Sequence, residues 1–432
     1  MNELAYVRTQ MLPEAEPPVT EKGVIKWVRE NLFSGWFNTI LTLVSLYVIF
    51  SLLAHIVPWF SRTVWNAGSL SECRDILAAT YGPGVEGACF AVIKERWNQL
   101  LFGFYPRDLY WRPTLTLVLM LAALAPLLFS ELPRKLLWLS LAYPFIAVWL
   151  LWGGSIWGPV AVAAGFGLGV VAMRALAPLN AIVATVGAIL VPVIYWLTLA
   201  GPLASLLDSI VSLGIRPVRS DQFGGFMLSV VIGVSGIALS LPLGILLALG
   251  RQSDLLIVKS ICVGFIEFIR GVPLITLLFT ASLLLNYFMP PGTNFDLILR
   301  VIIMVTLFAA AYIAEVVRGG LAALPRGQYE AADSLGLDYW KAQRLIIMPQ
   351  ALKISIPGIV NTFIGLFKDT TLVVFIGLLD PIGLSNAIRA DTNWNGIYWE
   401  LFIFIGALFF LFCFSISRYS MYLERKLKTD HR

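Results

Sequence analysis

Three pairs of opposite charges lie where the chain is otherwise apolar: Glu267 with Arg270, Glu315 with Arg318, and Lys368 with Asp369. Thr370 and Thr371 follow the third pair directly. An ionised side chain at mid-membrane costs at least about 3 kcal/mol, so each of these groups needs a partner or a wet cavity. An i, i+3 spacing lets Glu267 reach Arg270, and Glu315 reach Arg318, along one helix face. Lys368 and Asp369 are adjacent, so on a helix they point about 100° apart and need different partners. Two chemistries are open to such groups. They line a path and meet the ammonium and carboxylate of a zwitterion, or they form internal ion pairs that fix helix packing or gate the inner side. Other chemistry is missing from the sequence. No His, Cys, Asp and Glu cluster has metal-ligand spacing, no nucleophile–base set stands out, and no Gly-rich phosphate loop ends in Gly-Lys-Ser or Gly-Lys-Thr. His55 reads as an interfacial residue near the end of the first apolar run.

The elements that must carry these charges are membrane-spanning helices. Of 432 residues, 58% are hydrophobic and 13% charged, where a water-soluble domain carries about 25% charged residues. The chain offers about ten continuous apolar runs of the roughly 20 residues a spanning helix needs. They lie near residues 36–57, 114–130, 135–151, 158–174, 180–200, 224–249, 259–286, 298–317, 352–378 and 399–420. The expected fold is all-α and polytopic. A closed barrel would instead show short alternating segments of about ten residues. The net charge of +5 does not point to nucleic acid, because the basic residues are spread over loop ends.

With the N-terminus inside, the inner segments hold 19 of the 31 Lys and Arg residues and the outer segments hold 10. This bias places both termini in the cytoplasm. The first thirty-odd residues are polar with both charge signs, which predicts no cleavable signal peptide. The expected organisation is an inner segment 1–35, five spans over 36–200 with a long outer loop 58–113, and an outer linker 201–223. Five more spans follow over 224–423, then an inner tail 424–432. The linker is expected to hold a short amphipathic helix at the outer surface. Pro242, Pro273 and Pro357 lie in or beside spans, where they break helices or merely kink them.

Residues 315–350 form a polar run between two spans, and it falls on the inner side. Its pattern predicts two short helices and a turn. Gln328 to Leu335 holds good helix formers, and Gly336 suits the left-handed residue that ends a helix. Asp338 caps a second helix over 339–347, and Pro349 stops or kinks it. Ala331 and Ala332 let another surface approach closely. Tyr329, Leu335, Leu337 and Tyr339 offer apolar knobs. The alternative is an ordinary solvated loop, but such loops are commonly short.

The spacing Glu330-Ala331-Ala332, three residues, Gly336, nine residues, Ile346, then Met348-Pro349 resembles the cytoplasmic signature of ABC importer permeases. Residues 225–254, 268–279, 315–324 and 368–377 are similar to the polar-amino-acid branch of that family, and the resemblance covers about 223–423. The five spans before it resemble the larger permease of general L-amino-acid or glutamate/glutamine/aspartate/asparagine uptake systems. The resemblance implies a type I five-helix core in the C-terminal half, with segment 319–350 coupling to a dimer of ATPase subunits. Tyr329, Glu330, Ala331, Ala332, Asp333 and Gly336 would form the docking surface. It implies that ATP and Mg bind the partner ATPase, with no cofactor in this chain. A second related permease, a periplasmic amino-acid-binding protein, the bilayer and an amino-acid substrate complete the partners, in a bacterial inner membrane. There the outer loop faces an oxidising space, and a Cys73–Cys89 disulfide is expected; the other reading is two unpaired thiols. Cys262 and Cys413 lie in spans as small core residues. The alternative function is a self-contained secondary transporter or channel, although the two halves share no convincing repeat.

Overall fold

In hydrocarbon a backbone N–H or C=O finds no water, so a spanning segment closes its hydrogen bonds on itself as a helix. The computed structural model, which describes residues 23–129, 131–284 and 296–427, is helical almost throughout. Eight helical stretches are long and apolar enough to cross a membrane, and up to ten cross if two bent pairs each count as one span. The only strands among the described residues are β1 (Gly154–Ser155) and β2 (Gly214–Ile215), paired antiparallel. The expectations for residues 1–22, for the last positions of the 259–286 run and for 428–432 lie outside the described residues. The chain forms two compact units, residues 1–91 and 92–432.

The first unit contains α1 (Gly23–Asn31), α2 (Trp36–Ser61) and α3 (Leu70–Tyr81). α2 continues past Pro58 to Ser61, so the outer segment starts later than the proline suggested. The segment after it is a folded lobe rather than a bare loop. Ser69 caps α3 by accepting the Glu72 N–H at 3.2 Å, and Val64 pairs with Ala88 and Ala91 through backbone bonds of 2.9 and 3.0 Å. Cys73 and Cys89 are joined in a disulfide with Cα atoms 6.1 Å apart, and both are fully buried.

In the second unit, α4 (Ala91–Phe102) leads to α5 (Trp111–Leu128) and α6 (Leu137–Trp152). α5 and α6 form a hairpin in which Ser140 Oγ donates to the Ala123 carbonyl at 2.6 Å. α7 (Trp157–Leu176) packs on α8 (Ala181–Thr198). Trp196 of α8 lies against Gly165, and its Nε1 donates to the Val162 carbonyl at 3.1 Å. α9 (Ala200–Ile210) bends 55° from α8, and β2 closes the linker onto β1.

The remaining helices build the core: α10 (Gly225–Arg251), α11 (Leu256–Gly271), α12 (Leu274–Phe279), α13 (Leu297–Ala322), α14 (Arg326–Ser334), α15 (Tyr339–Ala342), α16 (Met348–Asp369), α17 (Pro381–Arg389) and α18 (Trp399–Leu427). Lipid tails are as apolar as leucine, so tight packing at small residues has to hold such helices together. A Cβ on Gly244 of α10 would sit 2.7 Å from Cγ2 of Ile313 on α13. A Cβ on Gly320 of α13 would collide with Ala351 and Ser355 of α16. Ser355 Oγ also donates to the Val316 carbonyl at 3.3 Å. Buried Ala248, Ile313, Val317, Ile347 and Ala351 fill the space between these helices.

Two spans depart from the sequence expectation. The 259–286 run is not one straight helix: α11 and the helix after Pro273 are bent by 104°. Pro273 lacks an N–H and forces its predecessor out of the helical region, and Val272 has φ −109° and ψ 132°. The 352–378 run ends its α-helix at Asp369, tightens to a 3-10 helix over Thr370–Ile376, and stops at Gly377 with φ 90°. Pro242 and Pro357, by contrast, lie inside continuous helices.

A disulfide closing about 15 residues stabilises a fold by roughly 3 kcal/mol in the chain-entropy model. Intact mass after alkylation of the denatured, unreduced protein is expected to show two alkylated thiols, Cys262 and Cys413, and four after reduction. Four without reductant would contradict the bond.

Candidate docking segment and charged network

The polar segment is built by local rules. α14 ends in a double backbone closure: Leu337 N–H bonds the Ala332 carbonyl at 3.2 Å, and Gly336 N–H bonds the Asp333 carbonyl at 2.9 Å. That closure needs a left-handed residue, and Gly336 has φ 68°. Asp338 then accepts the Lys341 N–H at 3.0 Å and starts α15. Hydrogen bonds from the Lys341 ammonium and N–H hold its carboxyl below the usual carboxylate range. Pro349 behaves differently from the expectation. It occupies the first turn of α16, where a missing N–H costs nothing. A wide π turn over Gln343–Ile347 precedes it and makes room for the ring, so the chain runs from Tyr339 into the span without a stop.

The expected docking residues divide between two faces. Glu330, Ala331, Asp333 and Gly336 are exposed, whereas Ala332 is fully buried and Tyr329 half-buried. Ala331 is therefore the small residue that leaves room for an approaching surface; Ala332 serves packing within the chain. Leu335, Tyr339, Trp340 and Leu345 project large apolar surface around the segment. Beside them lies a hollow of about 280 Å³ lined by Tyr329, Ala332, Asp333, Tyr339 and, from the end of α10, Gln252. Gln350 Nε2 ties α16 to α14 through Gln328 Oε1 at 2.9 Å.

One residue from Gln252 stands Arg251, which joins a charged network. Arg251 Nη1 bonds Glu267 Oε1 at 2.9 Å and Glu315 Oε2 at 3.2 Å. Arg270 Nη1 reaches the same Glu315 oxygen at 3.6 Å, and Arg318 Nε bonds Glu315 Oε1 at 2.8 Å. Glu315 thus receives three guanidiniums from α10, α11 and α13. The Glu315–Arg318 pair has the expected i, i+3 geometry. The expected Glu267–Arg270 pair does not form: Glu267 turns to Arg251, and Arg270 lies over the Tyr312 ring at 5.6 Å. The sequence alone places Arg251 only among the cations of the inner segments. The signal for it was positional, because it closes a span on the membrane side where both glutamates need cations.

Lys368, Asp369, Thr370 and Thr371 do not join this network. Lys368 lies about 30 Å along α16 from Met348, at about 1.5 Å per residue, so it sits near the far end of that helix and not at its middle. Lys368 is exposed and Asp369 half-buried, and neither is in an ion pair among the described residues. Thr370 is buried, and its hydroxyl donates to the Phe367 carbonyl at 2.7 Å; the Thr371 hydroxyl donates to the Lys368 carbonyl at 2.9 Å. Both hydroxyl protons are therefore already engaged where the helix tightens. Among the described residues no group of three or more His, Cys, Asp and Glu gathers as for a metal ion.

Comparison with known proteins gives a consistent picture. Residues 240–429 match the family described as binding-protein-dependent transport system inner membrane component. The chain is 64% identical over 434 residues to a glutamate/glutamine/aspartate/asparagine transport system permease protein of Rhodobacter capsulatus, covering 100% of each. It is 40% identical over 407 residues to an inner membrane amino-acid ABC transporter permease protein of Escherichia coli, covering 93% of each. A probable glutamine ABC transporter permease protein of Bacillus subtilis is 30% identical over 202 residues, which is 46% of this chain and 90% of that one.

Replacing Glu315 by Gln leaves Arg270 and Arg318 without their carboxylate and Arg251 with Glu267 alone. Unpaired partly buried charges cost about 1–3 kcal/mol, whereas the half-exposed Glu267 pair is worth about 1 kcal/mol or less. Thermal unfolding of the purified protein is expected to show Glu315→Gln clearly less stable than Glu267→Gln. Equal midpoints would contradict the hub.

Proposed function

The chain belongs to the inner membrane components of binding-protein-dependent ABC transport systems, the permease subunits, and on that premise we propose that it imports polar L-amino acids across a bacterial inner membrane. It is a multi-pass translocation component, and ATP with Mg is bound and hydrolysed by a partner ATPase dimer. The names of its full-length relatives support a polar amino-acid cargo. Both termini face the cytoplasm, a reading supported by the basic-residue bias. A second, related permease pairs with this one, and a periplasmic binding protein delivers the cargo.

The observation that carries the mechanism is the adjacency of Gln252 and Arg251. Glu330, Ala331, Asp333 and Gly336, with Leu335 beside them, meet the ATPase. Its closure on ATP pushes the 326–342 segment. Gln252 lines the hollow beneath that segment, and the next residue holds Glu267 and Glu315. In this reading a push at the segment closes the hollow onto Gln252 and passes to Arg251, its neighbour in the chain. The hub holds α10, α11 and α13 together at the inner end, and its rearrangement alternates access. Glu267, Arg270, Glu315 and Arg318 thereby act as gate residues. Lys368 and Asp369, in no ion pair among the described residues, offer an ammonium and a carboxylate to a zwitterion, while Thr370 and Thr371 shape the turn that presents them.

Reconstitution with both permeases, the ATPase and the binding protein tests this reading. Ala331→Arg adds bulk to an exposed position and is expected to leave folding intact while weakening ATPase association at least about tenfold, a cost of about 1.4 kcal/mol. Gly336→Val strains the left-handed turn by about 1–2 kcal/mol and is expected to uncouple ATP hydrolysis from uptake. Normal uptake and association in both would sink the docking assignment. For the cargo groups, Lys368→Met and Asp369→Asn are expected to raise the half-saturating substrate concentration about tenfold in complexes that still assemble. A slower maximal rate with unchanged half-saturation would assign these residues to structure instead.

A further inference from the structure

A cleft of about 670 Å³ separates the α5–α6 hairpin from α10. It extends along α5 from Thr114 to Leu127 and along α10 from Phe226 to Leu239, about 20 Å on each helix at about 1.5 Å per residue. Among the described residues, no acidic or basic side chain lines it. Four of its five hydroxyls donate to backbone carbonyls of the protein itself. Thr114 bonds the Tyr110 carbonyl at 2.8 Å, Thr116 the Arg112 carbonyl at 2.8 Å, Ser140 the Ala123 carbonyl at 2.6 Å and Tyr143 the Thr116 carbonyl at 3.3 Å. A zwitterion placed there would lose its hydration and find almost no donors, at a cost of several kcal/mol. The cleft is therefore not the cargo path, although its volume would admit an amino acid.

Hydrocarbon has the opposite balance. A void deprives its lining atoms of dispersion contacts, and an apolar chain restores them without burying a polar group. The cleft is also open to the bilayer at its side, where Leu117, Leu127, Val148 and Leu239 are exposed. Trp97 of α4 and Trp152, the last residue of α6, are among its lining residues, and tryptophan rings favour the headgroup level. A length of about 20 Å accommodates an acyl chain of about 16–18 carbons, which fills somewhat more than half of the roughly 30 Å hydrocarbon core when tilted. We propose that this cleft is a phospholipid site. One acyl chain inserts between the hairpin and α10 with its headgroup toward Trp97 and Trp152, and it serves as the packing layer that joins the α5–α6 hairpin to the transport core.

The test uses the assembled importer in nanodiscs containing a phosphatidylethanolamine with a diazirine at mid-chain. After photolysis, peptide mapping is expected to find adducts at cleft positions such as Met120, Ala147 and Val234. These adducts should survive prior exchange against unlabelled lipid for far longer than adducts at Val118 and Leu121, which α5 exposes outside the cleft. In the filled variant Ala147→Phe, cleft adducts should fall about tenfold relative to those outside. Cleft adducts that exchange as fast as the outer ones would overturn the site. So would adducts that form in the isolated chain but vanish on assembly, because a partner helix would then be the occupant. Unchanged cleft labelling in Ala147→Phe would overturn it as well.

Discussion

The core depends on the placement of one carboxylate. Glu315 lies on a helix of membrane-spanning length, and charge at such depth is tolerated only beside compensating charge. Three guanidiniums supply it, from the end of α10, the end of α11 and the next turn of α13. That requirement fixes where the helices meet. α10 must finish at Arg251, level with Glu315, and α11 must finish near Arg270. The 104° break after Gly271 ends α11 there instead of carrying it onward. Glycines at 244 and 320 then let the neighbouring helices close to the distance that the ion pairs need.

The same constraint offers the proposed docking event a route from the surface to the spans. α14 and α15 are short, and Gly336 and Asp338 fix the angle between them. Gln252 borders the same hollow as Tyr329, Ala332 and Tyr339 and is the chain neighbour of Arg251, which is in the hub. A network with three cations and two carboxylates retains one uncompensated positive charge, so its arrangement responds to small displacements of any helix that supplies a member. Such a set of alternative pairings suits a gate better than a sealed hydrophobic contact, because breaking one pair exposes a group that another partner can take up.

Legibility in the sequence followed the range of each interaction. Spans were readable because burial in lipid demands long continuous apolar runs. The Gly336 turn and the Asp338 cap were readable because both are set by bonds within six residues. Glu315 with Arg318 was readable for the same reason. Glu267 with Arg270 was misassigned by that local rule, since a tertiary partner, Arg251, lies nearer in space and belongs to another helix. Pro349 was misread because a π turn before it removed the clash that ends helices. Ala331 and Ala332 look equivalent in the sequence, and only the tertiary packing of α14 separates an exposed face from a buried one. The cleft beside α10 was invisible, because apolar residues facing lipid, protein or a bound chain have the same composition.

The cleft is lined by the first half of α10 and the charged network takes Arg251 from its last position, so one helix serves both as a wall of the cleft and as a carrier of Arg251. The central claim is that the docking segment and the charged hub move as one body. Double electron–electron resonance between spin labels at Arg326 on α14 and Leu256 on α11, both exposed, measures this directly in the assembled importer. With a hydrolysis-deficient ATPase, adding ATP is expected to leave the distance within about 2 Å of its resting value, while Glu315→Gln broadens the distribution by breaking the hub. A shift of more than about 5 Å in the native protein, or an unbroadened distribution in Glu315→Gln, would contradict the account.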